Sequence, residues 1–169
     1  MVNNLVRPSE DIQMKVFCDV YSAVKNIELD WSSKYAGFER ILFDSKLMDH
    51  WRITGISKEA LMVIAKNGFV RNNPGVVRGH ITDRRARAEV LFKDNNFKTE
   101  IEAYKFFVEH DKVVLITKAE NGFKKTSSDW SKVYDLDDDL FPFRCGYSAT
   151  YTDAALSRLS QLAKKIGVK

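Results

Sequence analysis

Apolar residues recur at helical spacing in several segments of the chain. In residues 9–29 they lie three or four positions apart, with Ser9 as an N-cap and two acidic residues in the first turn. A second helix is predicted around Phe38 and Leu47, and a third begins at an N-cap at Ser57 and stops near Asn67. The same pattern predicts a last helix from about Thr152. Each of these helices has one face suited to burial.

Two short runs rich in β-branched residues predict strands, at residues 76–81 and 112–117. Between them, Thr82 and Asp83 are suited to start an arginine-rich helix, and a further helix is predicted from Thr99 to about Glu109. Residues 135–139 are predicted to be a solvated loop, and residues 142–150 an irregular segment or an edge strand. The pattern therefore favours a mostly helical α+β fold.

Length and composition favour one domain over residues 1–169. A chain of 169 residues with 44% hydrophobic side chains buries about 70% of its extended surface and needs no disulfide or metal to fold. Cys18 and Cys145 lie far apart outside any CxxC pair, which excludes a zinc ribbon or a thioredoxin-type site. Since no apolar run is long enough to cross a bilayer, we expect a cytoplasmic protein without a membrane partner.

Positive charge is concentrated in the middle of the sequence. Residues 66–132 hold 14 basic and 9 acidic side chains, whereas residues 134–153 hold Arg144 against five aspartates. A basic segment attracts phosphate backbones because counterions are released when it binds. The charge pattern therefore predicts a nucleic acid partner for the central segment.

One histidine in this basic segment has a context that indicates chemistry. His80 lies near the end of the first predicted strand, directly follows a glycine and has Arg78 two positions before it. The order of a strand ending in Arg78-Gly79-His80, an intervening segment, a second strand, and a helix start carrying Asn121 resembles the ββα-metal nuclease superfamily, which includes the HNH endonucleases. The tripeptide is also similar to the core of the DRGH motif of related non-specific nucleases. The resemblance covers residues 76–125.

The resemblance implies a small ββα element inside the α+β domain and a metal-dependent endonuclease acting on DNA. His80 would deprotonate the attacking water, Asn121 would bind Mg²⁺ or Mn²⁺, and Asp111 would orient the histidine or the metal. Val77 and Gly79 stand where the family motifs carry acidic residues, which leaves the metal one carboxylate short. The implied DNA contacts are Arg78, Arg84, Arg85, Lys118, Lys124 and Lys125.

Other functions stay open at this point. The basic segment also suits a DNA-binding regulator without catalytic activity, and residues 54–69 could form half of a helix-turn-helix. A third class is a protein-binding inhibitor of phage or plasmid origin, in which the charges serve a protein partner. If DNA is cut on both strands, a homodimer or two binding events would be needed.

Overall fold

The predicted mostly helical α+β class is confirmed by the computed structural model, which describes residues 7–122, 126–137, 139–141 and 151–168. The α-helices of these residues are Glu10–Lys25 (α1), Trp31–Ser45 (α2), Lys58–Lys66 (α3), Arg84–Ala88 (α4), Glu100–His110 (α5) and Asp153–Lys165 (α6). Their strands are Arg52–Ser57 (β1), Val76–His80 (β2), Lys112–Thr117 (β3) and Val133–Asp135 (β4). Helix α4 continues as a π-helical segment, Glu89–Asp94, and a single 3₁₀ turn covers Ser127–Asp129.

Three predicted helix starts are confirmed. The hydroxyl of Ser57, the predicted N-cap of α3, accepts a backbone N–H of the first helical turn. The hydroxyls of Thr99 and Thr152, where helices were predicted to begin, do the same for α5 and α6. Strand β1 was not predicted, and it corrects the helix-turn-helix interpretation, since residues 54–57 are extended rather than helical. Residues 142–150, for which an irregular segment or an edge strand was predicted, lie outside the described residues.

Contacts between residues divide the chain into two compact units. The sheet unit contains the described residues from 52 to 81 and from 112 to 168, and the helical unit contains residues 7–51 and 82–111. The chain thus leaves the sheet unit after β2 and returns to it at β3. The expectation of one domain over residues 1–169 stays a prediction.

The sheet unit is built on a mixed sheet with the strand order β2-β3-β1-β4. Strand β3 runs parallel to β1 and antiparallel to β2, and β4 runs antiparallel to β1. The predicted strand at 112–117 is confirmed as β3, and its four inner residues, 113–116, form a continuous buried apolar run. Helix α3 packs on β1 and β3, and α6 packs on α3.

The helical unit has an aromatic core. The rings of Phe17 and Phe38 meet edge to face with their centroids 5.2 Å apart, and Phe107 contacts both. The Tyr21 hydroxyl donates to the Leu91 carbonyl at 2.8 Å and is 2.9 Å from the Asn95 side-chain oxygen. Burial, with a smaller contribution from the charge of Glu100, raises the pKa of Tyr21 to about 12.

Candidate nucleic-acid interface

The structure does not bring His80 and Asn121 together. His80 is half-buried at the end of β2, as predicted, and pairs with Val113 at the start of β3. Asn121 follows the other end of β3, where its N–H donates to the Thr117 carbonyl at 3.1 Å. The four steps from Val113 to Thr117 span about 13 Å of extended strand. The two residues therefore lie at opposite ends of the β2–β3 ladder.

The helix that the ββα resemblance requires after β3 is not formed in the described residues. Residues 118–121 make a single hydrogen-bonded turn, and among the described residues that follow, the first helical ones form the 3₁₀ turn at 127–129. Gly79 also has a packing role. A Cβ atom there would lie 2.3 Å from Ile116 Cδ1 and 2.7 Å from Trp130 Cζ2, so side chains occupy the space beside this glycine.

Asp111 belongs to a buried charged network in the helical unit. One of its carboxylate oxygens bonds Arg87, and the other accepts the Trp51 N–H at 2.9 Å and lies 3.3 Å from His50 Nδ1. Burial alone would raise the pKa of Asp111, but the hydrogen bond from His50 and the charge of Arg87 lower it below its ordinary value. The carboxylate of Asp111 thus has structural partners within its own unit.

Two of the three arginines predicted to clamp phosphates, Arg84 and Arg85, have acidic partners in the helical unit. Arg84 bonds Glu39, whose other oxygen accepts the Tyr35 hydroxyl at 2.7 Å. Burial alone would lower the pKa of Arg84, and the Glu39 carboxylate raises it. Arg85 is largely exposed and lies 3.4 Å from Glu89. Arg78, in contrast, belongs to the sheet unit, where it is half-buried in β2 opposite Leu115.

The division into units changes where the positive charge resides. The helical unit carries 12 basic and 15 acidic side chains, which gives a net charge of −3. The described residues of the sheet unit carry 11 basic and 7 acidic side chains, which gives +4. The arginine-rich helix therefore belongs to a unit that is net negative by itself, and the sheet unit is the one with net positive charge.

Three exposed lysines lie at one edge of the sheet. Since β1 and β3 are parallel, their carboxyl ends meet at this edge, and Lys58 and Lys118 directly follow them. Lys132 precedes β4, and its carbonyl accepts the Lys58 N–H at 2.8 Å. The Lys118 N–H donates to the Gly75 carbonyl at 3.1 Å. We call Lys58, Lys118 and Lys132 the lysine edge; Asn121 lies at the same end of β3.

A buried carboxylate joins the three backbone segments that carry these lysines. One oxygen of Glu120 accepts the Ser57 hydroxyl at 2.8 Å, the Thr117 N–H at 2.8 Å and the Thr117 hydroxyl at 3.0 Å. The other accepts the Ser131 N–H at 2.9 Å and the Ser131 hydroxyl at 2.8 Å. Burial alone would raise the pKa of Glu120, but these bonds lower it. Each partner of Glu120 is directly followed in sequence by a lysine of the edge.

No described carboxylate lies within ion-pair distance of any lysine of the edge. The Lys132 ammonium lies 5.2 Å from the centre of the Tyr134 ring. Three exposed lysines at one end of the sheet, without acidic partners among the described residues, can attract an extended anion such as a phosphodiester chain. The sequence prediction included Lys118 and missed Lys58 and Lys132. The repeated dipeptides Ser57-Lys58, Thr117-Lys118 and Ser131-Lys132 were the available signal.

The remaining predicted site features have no described structural counterpart. Lys124 and Lys125 lie outside the described residues. Among the residues that are described, no group of three or more His, Cys, Asp or Glu side chains is placed to hold a metal ion. Binding of Mg²⁺ or Mn²⁺ therefore stays a prediction.

Within the described residues, no helix has the length and apolar character needed to cross a membrane.

Comparisons with known proteins give no family for this chain: no family model matches it, and no significant match is found among curated proteins or solved structures.

Proposed function

We propose that this protein binds nucleic acid through the lysine edge of its sheet unit, with the phosphate backbone as the ligand. The observation that carries the proposal is the position of Lys58, Lys118 and Lys132 at one end of the sheet without described acidic partners. The charge difference between the two units supports it, because the sheet unit is net positive while the helical unit is net negative. DNA is the expected form, as the resemblance to nucleases implies.

Backbone binding of this kind has a quantitative signature. Each phosphate neutralised on duplex DNA contributes about 0.9 to the slope of log K against log salt concentration. If each lysine of the edge neutralises one phosphate, the three together account for about 2.7 of that slope. Such contacts position the strand without reading its sequence, so we expect little preference among duplexes of different sequence.

The test is the affinity for a labelled DNA duplex, measured by fluorescence anisotropy over a range of salt concentrations. Replacing Lys58, Lys118 and Lys132 together by Gln should reduce the slope by about 2.7. The matched control replaces Lys66, Lys164 and Lys165 by Gln, which removes the same charge from exposed C-terminal ends of helices in the same unit. If both triple variants change the slope equally, net charge rather than the lysine edge determines binding.

Hydrolysis of the bound strand is a second candidate function, favoured by the position of His80. It lies in the basic unit at the end of an edge strand, where the nuclease resemblance needs a general base. A strand bound at the lysine edge extends over several phosphates, so the scissile bond need not be at the edge itself. This proposal assigns no metal role to Asn121.

Incubation with supercoiled plasmid in Mg²⁺, in Mn²⁺ and in EDTA separates the candidate functions. A nuclease nicks the plasmid in a metal-dependent manner and loses this activity in His80→Ala while retaining affinity. A regulator without catalytic activity retards DNA in all three conditions and cuts in none. A protein-binding inhibitor shows no salt-sensitive affinity for DNA, and that result would refute the proposed function.

A further inference from the structure

We propose that Glu120 is the positioning residue of the lysine edge. It holds the three lysine-bearing segments in place so that their lysines can bind one nucleic-acid phosphate backbone, and it does not contact the nucleic acid itself. This inference rests on the proposed function. A carboxylate next to a surface that attracts an anion would, from its charge alone, be expected to weaken binding of that anion. The inference instead gives Glu120 a favourable role in binding.

The geometry favours positioning over direct contact. Glu120 is only 7% exposed, and five hydrogen-bond donors from three separate segments point at its two oxygens. The segments are the β1–α3 junction, the end of β3 and the approach to β4. Each donor residue is covalently joined to one lysine of the edge, so Glu120 fixes the origin of each lysine side chain.

A neutral acceptor could not make the same set of bonds. Every partner of the Glu120 carboxylate is a donor, and no described cation lies within ion-pair distance of it. Burying an unpaired carboxylate is unfavourable unless strong hydrogen bonds compensate for lost hydration, as five donors do here. Its negative charge is bonded to the residue before each of the three lysines, and it reduces the mutual repulsion of these lysines when no ligand is bound.

The conservative variant Glu120→Gln distinguishes this role from simple electrostatics. Glutamine keeps one acceptor oxygen and places an NH₂ group against donors of Ser131, or of Ser57 and Thr117, so at least one junction loses its anchor. The variant also removes a negative charge, which by long-range electrostatics alone would strengthen DNA binding. Positioning predicts the opposite sign: weaker binding and a salt slope reduced by about 1 to 2.

The experiment is a thermodynamic cycle on the full chain. The DNA affinity and salt slope are measured for the wild type, Glu120→Gln, the triple lysine variant, and their combination. We expect the lysine substitutions to have a much smaller effect in the Glu120→Gln background, because the lysines there no longer act together. Asp135→Asn is the matched control, since it removes one exposed negative charge from β4 and should leave binding equal or slightly tighter.

A second measurement makes failure of this inference distinct from failure of the proposed function. The amide hydrogens of Lys58 and Lys118 donate to Lys132 and Gly75, so their exchange rates report whether the edge is ordered. Ser131→Ala, which removes one hydroxyl donor, serves as a milder variant if Glu120→Gln is largely unfolded by circular dichroism.

Faster exchange of these amides together with weaker binding in the variants supports the inference. Unchanged exchange, or DNA binding as tight as in the wild type with an unchanged slope, would overturn it. Faster exchange in a protein whose wild type does not bind nucleic acid supports the positioning role of Glu120 and refutes only the choice of ligand.

Discussion

The buried pair of Arg87 and Asp111 gives the sharpest test of what stabilises the helical unit. Arg87 is fully buried, its guanidinium bonds the 3% exposed carboxylate of Asp111, and it lies 5.8 Å from the centre of the Phe107 ring. The perturbation is Arg87→Met, which keeps most of the apolar stem and removes the charge. Asp111 then keeps the Trp51 N–H and His50 as its neighbours and loses its guanidinium partner.

The expected decrease in the free energy of unfolding follows from the loss of the guanidinium partner of the buried Asp111 carboxylate. Removing one partner of a buried ion pair typically costs about 3–5 kcal/mol, because the remaining charge stays desolvated. With a urea m-value of about 1–3 kcal/mol per molar, the unfolding midpoint should fall by at least about 1 M. Arg85→Met is the matched control two residues away, where an exposed i,i+4 pair with Glu89 contributes about 0.3–0.5 kcal/mol.

The assay is urea unfolding followed by circular dichroism for both single variants, for Asp111→Asn and for Arg87→Met combined with Asp111→Asn. We expect the double variant to lose much less stability than the sum of its two single variants, since both members of the Arg87–Asp111 pair are then neutral. If Arg87→Met unfolds at the same urea concentration as Arg85→Met, or the two effects simply add, the network is not the stabilising element described above.

Two further predictions concern packing and alkaline pH. Gly79→Ala should destabilise the protein by about 1–3 kcal/mol, because its Cβ would overlap Ile116 and Trp130. Gly37→Ala, at an exposed position of α2, should stabilise the protein by up to about 1 kcal/mol, and equal urea midpoints for the two variants would contradict this reasoning. Since the pKa of Tyr21 is raised from 10.0 to about 12, folding favours its protonated form, and stability should fall as the pH rises through that window. Tyr21→Phe should reduce this loss, and an unchanged pH profile of unfolding would argue against a buried, hydrogen-bonded hydroxyl.

Local features were predictable because they depend on neighbours in sequence. Ser57 was identified as an N-cap because a serine before an apolar helical pattern can accept a backbone N–H, and it does so at 3.1 Å. Strand β1 was missed because Thr54 and Gly55 interrupt its apolar pattern and a helix begins directly after Ser57. The register of β2 on β3, which separates His80 from Asn121, depends on pairing between residues 33 to 41 positions apart in sequence and leaves no local signal.

The charge pattern along the sequence was a poor guide to the basic surface, because residues that are close in the basic segment fold into different units. The sequence places Arg84, Arg85 and Arg87 within one basic run, yet residues 82–111 fold into the helical unit and hold 7 acidic against 6 basic side chains. Arg87 lies four positions before the buried Leu91, and this helical spacing was the signal that it faces the core. An exposed charge without an acidic partner is more available to an anion than a paired one. The lysines around Glu120 meet this condition among the described residues, whereas Arg84 and Arg85 are paired with Glu39 and Glu89.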